Sequence, residues 1–89
     1  MLHVIAYDIS GRRLAKVAAI CEDYGFRIEK SVFECDLEND QFGIFWEKLE
    51  EAIDPEEDAI VDYPMNKAEE DRIQTMGRDL RPERDVMIF

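Results

Sequence analysis

The chain has 89 residues, of which 46% are hydrophobic and nine are aromatic, so it predicts one folded domain with a modest core rather than a disordered acidic segment. Its formal net charge of −11 at first sight argues against a partner as anionic as nucleic acid. No apolar stretch approaches the length of a membrane span, and the N-terminus lacks the features of a signal peptide. We therefore expect a cytoplasmic protein that forms one domain over residues 1–89.

The negative charge is concentrated in one part of the chain. Residues 36–71 carry fourteen acids against two bases, whereas residues 10–35 carry five bases against four acids. We interpret the acidic block as a solvated surface. The basic residues lie around a motif that begins at Asp8, so the net charge does not exclude nucleic acid as a partner.

The first two predicted elements are a strand and a helix. Leu2 to Ile9 is apolar, rich in β-branched and aromatic residues and bounded by Ser10, which predicts a strand. From Arg12 to Tyr24 the apolar residues follow helical spacing, with Ser10 as the predicted cap and Gly25 as the predicted end. The apolar stripe of this helix consists of Leu14, Val17, Ala18, Cys21 and Tyr24.

The middle of the chain predicts an extended segment and a second helix. Phe26 to Asp36 is extended, and its apolar alternation changes phase around Lys30-Ser31, which indicates a bulge or bend inside one strand. Asn39 or Asp40 is the predicted cap of a helix that ends at Asp54-Pro55. Its apolar stripe consists of Phe42, Phe45, Trp46, Leu49 and Ile53.

The last third of the chain predicts shorter elements. Ala59 to Tyr63 is a strand closed by Pro64, and Asn66 to Asp71 is a turn or a single helical turn. Ile73 to Met76 predicts a fourth short strand, and Val86 to Phe89 predicts a final one.

The resulting order, β-α-β-β-α-β with one additional C-terminal strand, predicts a ferredoxin-like α+β sandwich with both helices on one face of the sheet. The other sheet face is bare, which favours a homodimer formed through that face. The connector and terminal strand, residues 76–89, are expected to pair with the partner protomer's sheet. Cys21 and Cys35 lie within apolar patterns and are expected to be reduced core residues.

Asp8 is the leading candidate for chemistry, because it is a charge at the end of an apolar strand. Metal-assisted phosphodiester hydrolysis needs carboxylates that hold a hard divalent cation. One such residue per chain is too few, but in a symmetric dimer two copies of Asp8 could share one ion. The alternative is that Asp8 only initiates a turn or caps a helix.

Seven other residues are candidates for nucleic-acid binding or for supporting the site: Tyr7, Arg12, Arg13, Lys16, Arg27, Ser31 and Phe33. The basic residues could contact phosphates, and the hydroxyl and aromatic side chains could be aimed at a ligand. Each also has an ordinary alternative, namely a solvated helix face, an ion pair or core packing.

Three blocks of the chain together resemble the CRISPR-associated Cas2 family, the small dimeric partner of the CRISPR adaptation integrase. They are Tyr7-Asp8-Ile9, the helix led by Arg12-Arg13, and Tyr24 to Cys35 with its Ser-Val-Phe-Glu sequence. The resemblance implies a ferredoxin-like homodimer whose C-terminal strand crosses to the partner. It also implies that the Asp8 pair holds Mg²⁺ or Mn²⁺ at the dimer axis, and that Tyr7, Arg27, Ser31 and Phe33 match the surrounding motif positions. Which of Arg12, Arg13 and Lys16 corresponds to the basic positions of the family stays open, because the loop after Asp8 is short.

Three functions remain open at this point. The first is a subunit of the adaptation complex that positions duplex DNA with the integrase during spacer acquisition, a role to which metal-dependent endonuclease activity on RNA or DNA would be secondary. The second is a free-standing, toxin-like ribonuclease of the same fold. The third is a non-catalytic structural or small-molecule-binding regulatory dimer, which the fold alone permits.

Overall fold

The structure, a computed structural model, describes residues 1–78. Their elements are β1 (Leu2–Asp8), α1 (Gly11–Tyr24), β2 (Phe26–Glu29), β3 (Val32–Asp36), α2 (Asn39–Ala52), β4 (Ala59–Met65) and α3 (Lys67–Glu70). The four strands form one antiparallel sheet in the order β2-β3-β1-β4. This arrangement confirms the predicted ferredoxin-like β-α-β-β-α-β order, with β2 and β3 as the two adjacent strands.

The segment predicted as one bent strand is a hairpin. β2 and β3 pair antiparallel, with Phe26 opposite Glu34, and the chain reverses at Lys30 and Ser31. The change of apolar phase correctly marked where the strand is interrupted. The same pattern arises from a bulge and from a tight turn, because only cross-strand pairing distinguishes the two. The register irregularity lies between Arg27 and Glu29.

The prediction of a strand at Ile73 to Met76 is wrong. These residues are irregular, and Met76 is 98% exposed. The hairpin already supplies the strand that this segment was expected to provide, so the four-stranded sheet is complete without it. The predicted strand Val86 to Phe89 and most of the connector fall within residues 79–89. These residues lie outside the described part of the chain.

Several element boundaries differ from the predicted ones. α1 begins at Gly11 rather than Arg12, with Ser10 as its N-cap. The N-cap of α2 is Glu38, not Asn39 or Asp40, and its backbone N–H donates to Gln41 Oε1 at 3.0 Å. β4 continues through Pro64, which an edge strand tolerates because one side of its backbone forms no ladder.

The core lies between the sheet and the two long helices. Its fully buried side chains are Phe33, Phe45, Ile5, Leu49, Val17, Cys21 and Cys35. Both cysteines are free, as predicted, and burial raises the pKa of each thiol to about 12. The thiols are therefore packing groups and not nucleophiles. Leu14, in contrast to the rest of its predicted stripe, is 43% exposed.

Two acids of the block predicted to be solvated are instead buried or nearly so. The side chain of Asp58 is fully buried, and that of Asp62 is 19% exposed. Asp62 contacts His3 Nδ1 at 2.9 Å, and the His3 ring stacks on Phe42 with 4.1 Å between centroids. The interpretation of the block as a uniformly solvated surface is wrong at these positions, because each carboxylate has an interior partner.

Alternation along β1 separates two kinds of side chain. Ile5 and Tyr7 face the core beneath the helices, so Val4, Ala6 and Asp8 lie on the opposite face, which we call the open sheet face. On β4 the same face carries Val61 and Tyr63, which are 44% and 53% exposed. Within residues 1–78, no helix has the length and hydropathy needed to cross a lipid bilayer.

Candidate metal and nucleic-acid site

Asp8 is the last residue of β1 and lies opposite Ala59 of β4. Its side chain is exposed, and among the described residues it forms no hydrogen bond or ion pair. The N-cap of α1 is Ser10, so Asp8 does not serve as the helix cap. A free carboxylate on the open sheet face is therefore available to a ligand from outside the chain.

The hairpin turn lies beside Asp8 on the β3 side. The backbone N–H of Tyr7 donates to the carbonyl of Ser31 at 3.0 Å, and the Tyr7 hydroxyl lies 3.5 Å from the carbonyl of Lys30. Burial raises the pKa of Tyr7, and the nearby Arg27 charge opposes that rise. The Tyr7 ring stacks on Phe33, with 6.1 Å between centroids. Tyr7 and the fully buried Phe33 thus lie on the core side of this strand end, while Ser31 lies in the turn beside it.

The three basic residues at the start of α1 have different environments. Arg12 and Lys16 are exposed and lie one helical turn apart, and neither has a partner among residues 1–78. Arg13 points inward, where its Nη2 contacts Asp58 Oδ1 at 3.2 Å and Glu57 Oε2 at 3.2 Å. Arg12 and Lys16 therefore carry the available positive charge, whereas the Arg13 charge is already paired.

Arg27 lies on the edge strand β2. Its guanidinium is 3.4 Å from Glu22 of α1 and lies over the Phe33 ring, 5.2 Å from the ring centroid. Together with Lys30 and Arg78 it lines a shallow open cavity next to the hairpin turn. Glu29 lines the same cavity, so this edge of the sheet carries three cationic side chains and one carboxylate close to the turn that borders Asp8.

Asp58 also lies near the start of α1, although no sequence pattern predicted a role for it. Its carboxylate accepts hydrogen bonds from the backbone N–H groups of Ser10 and Asp54 at 2.8 and 2.9 Å, and from Arg13. Hydrogen bonding to Arg13 holds the pKa of Asp58 well below its usual range and raises that of Arg13. No motif or spacing marks Asp58 within its acidic block, since two of its three partners, Ser10 and Arg13, are distant in the sequence.

One chain alone does not assemble a metal centre in the part that the structure describes. Within residues 1–78 no three His, Cys, Asp or Glu side chains lie close enough to hold an ion together. The chemistry of Asp8 nevertheless suits a hard divalent cation, because its carboxylate oxygens are exposed and unpartnered within these residues. An ion held by Asp8 would therefore need further ligands from outside this set of residues.

The protein is thus a ferredoxin-like α+β domain. It has a free carboxylate at the end of its first strand and basic residues on the helix that follows. The chain belongs to the CRISPR associated protein Cas2 family, whose family model matches residues 1–73. This finding confirms the resemblance seen in the sequence.

Individual relatives agree with that assignment. The chain is 36% identical over 86 residues to a CRISPR-associated endoribonuclease Cas2 of Moorella thermoacetica, covering 90% of each chain. It is 32% identical over 83 residues to a CRISPR-associated endonuclease Cas2 of Halalkalibacterium halodurans, covering 86% of each. Its structure matches that of Streptococcus pyogenes Cas2 with a TM-score of 0.77 and 34% identity, covering 86% of this chain and 100% of the other.

Proposed function

We propose that this chain is a homodimeric, metal-dependent endonuclease that acts in the cytoplasm in CRISPR adaptation. The observation that carries the proposal is the free carboxylate of Asp8 at the end of β1, on the open sheet face. The names of the relatives, which are an endoribonuclease and an endonuclease, support phosphodiester hydrolysis as the reaction. Whether RNA or DNA is cleaved is left to the experiment.

The homodimer supplies what one chain lacks. A two-fold axis near Asp8 would bring two carboxylates to one Mg²⁺ or Mn²⁺ ion, and the exposed apolar residues on the same face favour association there. When bound, the ion would supply Lewis-acid polarisation of a phosphodiester. Tyr7 and Phe33 would hold the end of β1 in position, and residues 76–89 would pair with the partner's sheet.

Removal of divalent metal tests the proposed activity. We expect cleavage of labelled single-stranded RNA, single-stranded DNA or duplex DNA to stop in EDTA and to return when Mg²⁺ or Mn²⁺ is added in excess, because the ion stabilises the negatively charged phosphate. The measurement is the initial cleavage rate on each substrate. Cleavage that persists in EDTA, or that is equal in the Asp8→Ala variant, would contradict the proposal.

The open sheet face gives a separate prediction about assembly. Val61→Glu places a charge among apolar side chains that we expect to be buried between two protomers, so the dimer should dissociate at concentrations where the wild type remains dimeric. The measurement is molar mass by light scattering. Ile44→Glu is the matched control, since Ile44 is a 56% exposed hydrophobic residue on α2 and should leave the dimer intact. Equal masses for both variants would exclude this face as the interface.

Arg12 and Lys16 are the proposed phosphate contacts on α1. The double variant Arg12→Glu with Lys16→Glu should weaken duplex DNA binding and flatten its salt dependence, by about 0.9 in the slope of log K against log salt for each lost phosphate contact. Lys48→Glu with Lys67→Glu is the matched control, because it changes the net charge equally on α2 and α3. Equal effects of the two pairs would indicate only a change in overall charge.

The adaptation role implies a second protein, the CRISPR integrase subunit. We expect the dimer to co-purify with an integrase encoded beside it, and the complex to capture duplex DNA more tightly than either component. A dimer that cleaves RNA without binding the integrase would support the free-standing ribonuclease instead. Saturable small-molecule binding without metal dependence would support the regulatory alternative.

A further inference from the structure

Asp58 is a buried carboxylate between three elements that meet near Asp8. It directly precedes β4, and its side chain is fully buried. Hydrogen bonds reach it from Ser10 at the start of α1, from Asp54 in the turn after α2 and from Arg13. Each of its oxygens accepts more than one of these bonds, so the carboxylate is fully engaged.

These contacts constrain Asp8 from two directions. Along the chain, Ser10 follows Asp8 by two residues, and its N–H is held by Asp58 at 2.8 Å. Across the sheet, Asp8 pairs with Ala59, the residue next to Asp58. Any displacement of Asp58 therefore moves both the cross-strand neighbour of Asp8 and the chain that leaves it.

A purely stabilising role does not account well for this arrangement. Buried ion pairs contribute little net stability compared with apolar groups of similar size, because both charges lose their hydration. The Asp58 carboxylate instead fixes a direction, since a planar group that accepts from two backbone N–H groups and from Arg13 has little rotational freedom. Asp58 does not touch the Asp8 side chain, so it acts on the backbone that flanks Asp8 through Ser10 and through the start of β4.

We propose that Asp58, held by Arg13, is a positioning residue that fixes the backbone at Asp8 and so sets the affinity of the site for a divalent cation. This inference rests on the proposed role of Asp8 as a metal ligand. In this inference Arg13 binds Asp58 and does not contact phosphate. Arg12 and Lys16 are then the proposed phosphate contacts on α1.

The test compares Asp58→Asn with Asp62→Asn in the intact homodimer. Asp58→Asn keeps the shape of the side chain but replaces one acceptor by a donor that faces Arg13. We expect Mn²⁺ affinity, measured by electron paramagnetic resonance, to fall about 10-fold, the lower end of the loss seen for groups bonded directly to a metal ligand, and the Ser10 amide to exchange faster with solvent. Asp62→Asn breaks the pair between His3 of β1 and Asp62 of β4, so it should lower thermal stability without changing Mn²⁺ affinity.

Arg13→Lys is the second variant, in case Asp58→Asn does not fold. It leaves the Ser10 bond to Asp58 in place but loses the two-point contact, so a smaller loss of Mn²⁺ affinity in the same direction is expected. Unchanged Mn²⁺ affinity in the folded variants, or equal losses in Asp62→Asn, would overturn the inference.

The failure of the proposed function is distinguishable from the failure of this inference. If the wild type binds Mn²⁺ no better than Asp8→Ala does, the metal-site proposal fails. The exchange rate of the Ser10 amide then tests only whether Asp58 positions the chain between β1 and α1. An unchanged exchange rate in Asp58→Asn would overturn that part of the inference as well.

Discussion

Dimers that carry one Asp8→Asn subunit and one wild-type subunit should be nearly as inactive as dimers that carry two. The reason is that the proposed ion needs a carboxylate from each protomer, so removing either one leaves the same incomplete site. Loss of the ion removes several kcal/mol of transition-state stabilisation, which corresponds to a fall of about 100-fold or more in the cleavage rate. Two Asp8 residues that acted independently would leave about half of the activity.

The mixed dimer is obtained by co-expressing the two subunits with different affinity tags and purifying through both tags. Cleavage rate and molar mass are measured on the same preparation. Because Asp8 is exposed, its replacement should change the free energy of unfolding by no more than about 0.5 kcal/mol. Asp36→Asn is the matched control, since Asp36 is a 75% exposed carboxylate opposite Leu2, at the other end of β1.

Gly25→Ala should destabilise the fold more than any conservative surface change. Gly25 follows α1, and its N–H donates to the carbonyl of Cys21 at 3.0 Å. A Cβ atom here would overlap the carbonyl oxygen of Glu34 and would lie 2.7 Å from Cys35 Sγ and 2.9 Å from Cys35 Cα. Since these are mostly backbone atoms of β3, rotation of a side chain does not relieve the clash.

The expected loss is about 3 kcal/mol or more of the free energy of unfolding, a large part of the total for a domain of this size. The melting temperature should fall by more than about 10 °C. Gly43→Ala is the control, because Gly43 is exposed within α2 and a Cβ there meets nothing within 4 Å. That change should stabilise the protein by about 0.5 to 1 kcal/mol. Similar melting temperatures for the two variants would contradict the packing argument.

The Gly25 case also indicates how far sequence patterns reach. The pattern predicted correctly that α1 ends at Gly25, but the usual reason, a left-handed backbone, does not apply, because its φ is −170° and therefore extended. Glycine is required here because β3 passes close to residue 25 and leaves no room for a Cβ atom. β3 comes close only because the chain reverses at Lys30 and Ser31 and pairs with β2. The same reversal turned one predicted bent strand into two strands, because apolar phase is a local property and pairing is not.

The basic residues of α1 illustrate the same division within the site. Helical geometry alone places Arg12 and Lys16 on one face and Arg13 about 100° away from Arg12. That geometry does not indicate that Arg13 meets Asp58, which lies 45 residues further along the chain. The acidic block around Asp58 appeared uniformly solvated because composition describes a segment and not its individual side chains.

Features that depend on neighbouring residues could be read from the amino-acid order, namely the first strand and both long helices, the reduced cysteines, Asp8 at a strand end and the blocks that indicate the Cas2 family. Features that depend on chain segments meeting in space required the folded structure. Among these are the hairpin, the His3 pair with Asp62 and the connection from Ser10 through Asp58 to Arg13. The physical reason is that periodicity and capping act over one or two turns, whereas a buried carboxylate is stable only where the fold brings donors to it.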